Sequence, residues 1–234
     1  MAALKNLLTD LGSLKNPAKA SVLERFFKTG KGEYGEGDIF WGIVVPDIRS
    51  VARKYFSEIS FSDLKYLLSQ PTHELRFSAI AILVLKYQKA KTEPDKEVIA
   101  KFYLKNLKGI NNWDLVDLSA PQILGDYFFD KNKEVLYELA YSKNLWKKRI
   151  AILSTFGFIR KNEFVDTLKI AEILLFDRHD LIHKAVGWML REIGKRDKEK
   201  EIVFLKKYSK QMPRTTLRYA IEKFEERERK SWLG

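Results

Sequence analysis

A small apolar pair preceded by a basic residue returns along this chain at nearly constant spacing. Arg76 stands before Ala79-Ile80, Arg149 before Ala151-Ile152, Lys184 before Ala185-Val186, and Arg218 before Ala220-Ile221. The alanines lie 72, 34 and 35 positions apart; the first interval is twice 36, with its midpoint at Leu115, in the helical stretch that opens at Trp113. A period of about 35 residues suits two helices and their turns, a unit that cannot bury its apolar face alone and must stack on its neighbours. The expected fold is therefore all-α: an α-solenoid, a right-handed superhelix of HEAT-like helix pairs, forming a single domain over 1–234 with a concave basic face. Equivalent helices would line that face and bring the recurring basic residues into one track; alternatively, those residues bridge adjacent repeats.

Helical periodicity supports this reading over about 2–11, 18–28, 47–56, 61–69, 73–89, 94–107, 113–128, 132–141, 145–160, 163–175, 179–195, 198–209 and 213–229. Asn16-Pro17 and Pro46 supply helix-start signals. The one strand-like run, Ile43-Val44-Val45, is too short to found a sheet and ends at a proline.

The chain has 43 Lys and Arg against 31 Asp and Glu, a formal net charge of +12, with 45% hydrophobic residues and no Cys. That apolar fraction supports a real core and excludes wholesale disorder. The missing thiols exclude disulfide frameworks, zinc ribbons, iron–sulfur clusters and cysteine nucleophiles. Apolar stretches such as Ser78 to Leu85 fall far short of the roughly 18 residues of a membrane span, and the N-terminus does not read as a signal peptide. A cytoplasmic protein with no membrane partner is expected. Residues 1–142 hold 20 basic and 18 acidic side chains, residues 143–234 hold 23 and 13, so nearly all the excess lies in the second part. Clusters at Lys147-Lys148-Arg149, Arg160-Lys161, Lys206-Lys207-Lys210 and Arg214 to Arg218 suit phosphate neutralisation or a solvated surface.

Two formal motifs are set aside. Gly30-Lys31-Gly32-Glu33-Tyr34-Gly35 matches a dinucleotide fingerprint, but a helix rather than a strand leads in, and Glu33, Glu36 and Asp38 would repel a pyrophosphate. A flexible connection is expected there. His179 and His183 stand four apart, yet no third ligand or glutamate accompanies them, so surface or capping roles are expected and no metal site.

The stretch Asn112-Trp113-Asp114-Leu115-Val116-Asp117 is more informative. Asn112 suits an N-cap, and Asp114 lies in the first turn where the helix dipole favours a carboxylate. Asp117 lies one turn beyond Trp113 on the same face, beside the apolar positions Val116, Ala120, Ile123 and Leu124. A carboxylate at the edge of a core stripe is either paired, for instance with Arg149, or used on a ligand. Trp188, beside Gly187 and Lys184, raises the same choice between core and ligand. Indoles with an aspartate would suit a cationic ligand.

At these residues the sequence resembles the AlkD family of HEAT-like repeat DNA glycosylases, over nearly its whole length. The resemblance is carried by Phe26 to Asp38 continuing through Gly42-Ile43 and Val45-Pro46 to Arg49, by Asn112-Trp113-Asp114 with Val116-Asp117, and by Trp146 with Lys148-Arg149 and Ala151-Ile152-Leu153. It continues in Lys184-Ala185 with Gly187-Trp188 and Leu190-Arg191-Glu192, and in Met212 to Thr215 with Leu217 to Ala220. It implies excision of cationic alkylated purines, N3-alkyladenine and N7-alkylguanine, from duplex DNA, without a cofactor or metal and without flipping the base into a pocket. It also implies a catalytic set of Asp117, Trp113, Trp188 and Arg149. Lys148, Lys184, Arg191, Arg214 and Arg218 are the expected DNA contacts. A monomer with no obligate protein partner is expected. The alternatives are a nucleic-acid binder without turnover and a protein-interaction scaffold.

Overall fold

A computed structural model describes residues 2–233, in two compact units divided between Ser119 and Ala120. The first unit contains α1 (Ala2–Ser13), α2 (Pro17–Phe26), α3 (Val45–Tyr55), α4 (Phe61–Leu68), α5 (His73–Lys89), α6 (Glu93–Lys105), a 3-10 turn at Leu107–Gly109, and the start of α7 (Trp113–Tyr127). The second contains the rest of α7, then α8 (Glu134–Ala140), α9 (Leu145–Ser154), α10 (Phe156–Ile159), α11 (Val165–Ile173), α12 (Asp180–Gly194), α13 (Lys198–Tyr208), α14 (Arg214–Ala220), a 3-10 turn at Ile221–Lys223, and α15 (Glu226–Leu233). Among the described residues there is no strand, only an isolated bridge between Ile39 and Thr72. The all-α expectation holds.

Several helix starts follow from local chemistry. Asn16 Oδ1 accepts the Lys19 N–H with Pro17 in the first turn, Ser60 and Asp63 form a reciprocal capping box, and Thr92, Asn144 and Asp197 cap α6, α9 and α13. Each cap satisfies N–H groups that a helix leaves without internal partners.

In the first unit α5 is buried continuously from His73 to Val84 and packs against α3, α4 and α6. A helix buried on all sides has no polar face, so its few polar side chains must find partners within the protein. In the second unit α12 is the central helix, packed against α9, α10, α11, α13 and α14. Its Gly187 admits α14 closely: a Cβ there would stand 2.5 Å from the Thr216 carbonyl oxygen and from Tyr219 Cβ.

The stretches expected as single helices over 145–160 and 213–229 are each broken. At the first, Ser154 Oγ and Thr155 Oγ1 bond back to the Ile150 and Ile152 carbonyls, competing with the backbone ladder. The chain turns at Thr155, and Gly157 meets Gly125 of α7 backbone to backbone; a Cβ on Gly157 would lie 2.7 Å from the Gly125 carbonyl carbon. At the second, the chain leaves the 3-10 turn in extended geometry at Phe224, which buries its ring, while α15 buries no residue.

The repeated alanines Ala79, Ala151, Ala185 and Ala220 are all at most 1% exposed. The basic residues before them do not behave alike: Arg76 and Arg149 are buried, while Lys184 is partly exposed and Arg218 exposed. Their offsets from the alanine are three, two, one and two residues, and each step turns a side chain about 100° around the helix. What repeats is a small core residue, and the recurring charges do not all take the same position around their helices or the same burial.

Gly157→Ala is expected to destabilise by about 1–3 kcal/mol, the usual range for overpacking, whereas Gly12→Ala, with nothing within 4 Å of the added methyl, should not lower the melting temperature. Thermal unfolding followed by circular dichroism checks both.

Candidate active site

The N-terminus of α7 is held by the segment between α2 and α3, which is a chain of turns tied by hydrogen bonds rather than a loose tether. Glu33 Oε2 accepts the Gly30 N–H at 2.9 Å and Glu36 Oε2 accepts the Gly32 N–H at 2.8 Å. These carboxylates cap their own loop. The buried Glu74, in the first turn of α5, accepts the N–H groups of Trp41 (3.0 Å), Gly42 (2.8 Å) and Ile43 (3.2 Å). Gly42 sits at φ +78°, and a Cβ there would lie 2.1 Å from the Asn16 carbonyl oxygen. Only glycine meets both demands.

Asp38 is the hub. Its carboxylate accepts from His73 Nδ1 (3.0 Å), Arg76 Nη2 (2.5 Å) and Asn112 Nδ2 (3.1 Å), while His73 Nε2 reaches Asp114 Oδ2 at 2.8 Å. Burial pulls His73 toward neutrality, but its bonds to Asp114 and Asp38 outweigh this and raise its pKa to about 9. The ring is thus an imidazolium at neutral pH, donating from both nitrogens. Burial pushes Asp38 up, yet the His73 bond and the Arg76 charge keep it below its ordinary value. Asp114 lies in the first turn of α7 as expected, and it also grips His73. Asn112 Oδ1 accepts the Trp113 N–H at 2.8 Å while its amide holds Asp38.

Aromatic rings complete the support. Trp113 stacks on Phe27 (centroids 5.3 Å apart, 12° between planes) and meets Phe26 edge-on at 6.0 Å. Phe27 in turn stacks on Phe40 at 5.0 Å, and Phe40 on the His73 ring at 4.6 Å. Trp113 is half-buried, and so is Asp117 one turn further along α7. Beneath them Tyr103 is fully buried, its hydroxyl 2.9 Å from Ser119 Oγ. Burial raises the Tyr103 phenol, and the Asp117 charge raises it further.

In the second unit Arg149 is 5% exposed and donates from Nη1 to the Leu181 carbonyl at 2.5 Å, near the start of α12. Lys148 pairs with Asp177 at 2.5 Å. Trp188 is half-buried, with its Nε1–H on Glu192 Oε1 at 3.2 Å and its ring 5.7 Å from Phe156. Lys184 pairs with Asp180, Arg191 with Glu222, and Arg214 donates to the Leu233 carbonyl; Arg218 is exposed. His179 is the N-cap of α12, its Nδ1 accepting the Leu181 N–H, and burial lowers its pKa. His183 Nε2 stands 2.5 Å from the Asp177 carbonyl oxygen. Both histidines thus serve the backbone.

Trp113 and Asp117 therefore lie together on one helix of the first unit, and Arg149 and Trp188 lie in the second. Sequence reasoning missed His73, Glu74, Asp38 and the Phe27–Phe40 stack. The available signal was Thr72-His73-Glu74-Leu75-Arg76, three ionisable residues opening a strongly apolar helix.

The fold and this indole–carboxylate pair define a helical-repeat protein with an acidic, aromatic-supported site. The chain belongs to the DNA alkylation repair enzyme family, whose model matches residues 7–224, so its role is in the repair of alkylated DNA. A protein from Enterococcus faecalis described as a predicted DNA alkylation repair enzyme has a similar fold, with TM-score 0.68 and 17% identity over 91% of this chain and 97% of that one. AlkD2 from Streptococcus mutans is also similar, with TM-score 0.52 and 17% identity over 88% of this chain and 97% of that one. No curated protein matches the sequence.

His73 gives the site a pH signature. Its pKa is raised in the folded state, so its contribution is complete below about 6.5, the unfolded value, and is lost as pH rises through about 9. Glu201, buried and raised to about 8, acts in the same direction, so the His73 component is read by difference. The stability gap between wild type and His73→Gln, from denaturant melts, should shrink by about 3 kcal/mol between pH 6 and pH 10. A constant gap would refute the charged-imidazole assignment.

Proposed function

We propose that the protein is an alkylpurine DNA N-glycosylase, hydrolysing the N-glycosidic bond of cationic N3-alkyladenine and N7-alkylguanine in duplex DNA. The observation that carries the reading is a half-buried carboxylate, Asp117, one helical turn from an indole fixed from behind by the Phe27 stack.

An alkylated purine already bears a positive charge. When its glycosidic bond breaks, the bonding pair neutralises the base, so no acid need protonate the leaving group. Positive charge develops instead on the deoxyribose, where an ionised Asp117 stabilises it and accepts the proton of the water that adds to C1′. The face of Trp113 attracts the same cationic sugar, and the indole of Trp188 in the second unit is of the same chemical kind. An arginine has five N–H donors, and anchoring Arg149 on the Leu181 carbonyl fixes the plane of its guanidinium for a phosphate. Lys148, Lys184, Arg191, Arg214 and Arg218 add sequence-independent attraction to the backbone. Lys184 holds Asp180 in an exposed pair weak enough to exchange for phosphate, whereas the pairs of Lys148 with Asp177 and of Arg191 with Glu222 are partly buried. The base need not enter a protein pocket, because the chemistry acts on the sugar.

The test is release of 7-methylguanine from methylated duplex DNA under single-turnover conditions. Asp117→Asn is expected to slow release by on the order of 10²-fold with DNA affinity little changed. Release at the same rate by both proteins would remove Asp117 from the mechanism, and DNA binding without any release by wild type would leave a binding protein.

A further inference from the structure

The first unit holds a polar cavity of about 430 Å³, walled by the C-terminal ends of α4 and α6 and by the residues leading into α7. Lys65, Lys105 and Lys108 line it together with Arg76 and Asn111. The three lysines are exposed and make no ion pair in the structure. Arg76, with a side chain only 4% exposed, gives Nη1 to the Gln70 and Pro71 carbonyls and Nη2 to Asp38, while its buried Nε–H has no acceptor. Unpaired buried polar groups are uncommon, and the Arg76 Nε–H is a buried donor on the cavity wall that an incoming acceptor such as an anion can satisfy.

The charge there is positive. Of the acidic residues on the wall, Asp38 is engaged by His73, Arg76 and Asn112, and Glu36 accepts the Gly32 N–H. No aromatic ring lines the cavity, so nothing offers a base a stacking surface.

We propose that this cavity binds a phosphate group, with the three lysines converging on its oxygens over the Arg76 guanidinium. Asn111 lies two residues before Trp113, within about 7.6 Å along the backbone. On the reading that the protein acts on DNA, which this inference presupposes for the source of the ligand, the phosphate belongs to the backbone beside the nucleotide that Trp113 meets. Residues 1–142 carry a charge excess of only two, so residue counts give no hint of such a point of attachment.

The test compares wild type with a Lys65→Ala/Lys105→Ala/Lys108→Ala variant, whose exposed positions should leave its melting curve unchanged. In the first arm, inorganic phosphate is titrated at constant ionic strength while NMR follows the Arg76 Nε–H and the Asn111 side-chain amide. Saturable shifts are expected in wild type and not in the variant; their absence in wild type overturns the proposal. In the second arm, affinity for an undamaged duplex is measured against salt. The log–log slope should become shallower by about 0.9 in the variant, the value for one phosphate. A change near 2.7, roughly three times as large, would show three separate surface contacts and overturn the single pocket. Phosphate shifts with an unchanged slope would keep the phosphate site and reject DNA as its source. Wild type that binds no DNA would fail the wider functional reading, and the first arm would still decide the cavity.

Discussion

The contact on which the first unit depends is the charged cluster around Asp38. A carboxylate, an imidazolium and a guanidinium, each almost wholly removed from water, are stable together only because every charge faces an opposite one. Such a cluster is not an efficient source of stability, since apolar side chains of equal volume would avoid the desolvation. Its value is specificity: the cluster is satisfied only when the 28–44 segment, the start of α5 and the start of α7 are in one register. Glu74 adds to this by gathering three consecutive N–H groups of the Gly42 turn. The orientation of Trp113 is a consequence, because the ring it stacks on belongs to the segment the cluster fixes.

The second unit achieves order by close backbone approach. Gly187 lets α14 lie against α12, and Gly125 and Gly157 bring α7 and α10 together. Close packing of this kind trades helix propensity for contact. The indole of Trp188 and the guanidinium of Arg149 are thereby set on rigid elements rather than on loops. Each also spends a polar group on a protein partner, Glu192 and the Leu181 carbonyl respectively, which holds the remainder of the side chain in place.

Local features were readable from the sequence where the physics is local. The cap at Asn16 and the proline starts act over three or four residues, and the four-residue spacing of Trp113 and Asp117 puts both on one helical face by geometry alone. The breaks at Thr155 and Phe224 escaped because the apolar period continues through them while hydroxyl back-bonding and ring burial interrupt the backbone. The acidic residues of the glycine-rich segment were read as hostile to a pyrophosphate. Their actual use, capping the loop and gripping α5, depends on partners that periodicity does not show.

By itself the sequence determined an all-helical repeat, because small core residues returning about every 35 positions leave a chain few other ways to bury its apolar surface. It also determined that any side-chain chemistry would rest on oxygen, nitrogen or aromatic groups, since it carries no thiol. Only the tertiary structure decided which charges are internal. Arg76 and Arg149 look like members of one basic series with Lys184 and Arg218, yet both are buried while Arg218, at the same offset from its alanine as Arg149, is exposed, so what packs around each helix decides. Asp38, His73 and Asp114 are dozens of residues apart along the chain, and only folding brings them within hydrogen-bond reach, where low dielectric makes their pairing obligatory and holds Trp113 and Asp117 in position.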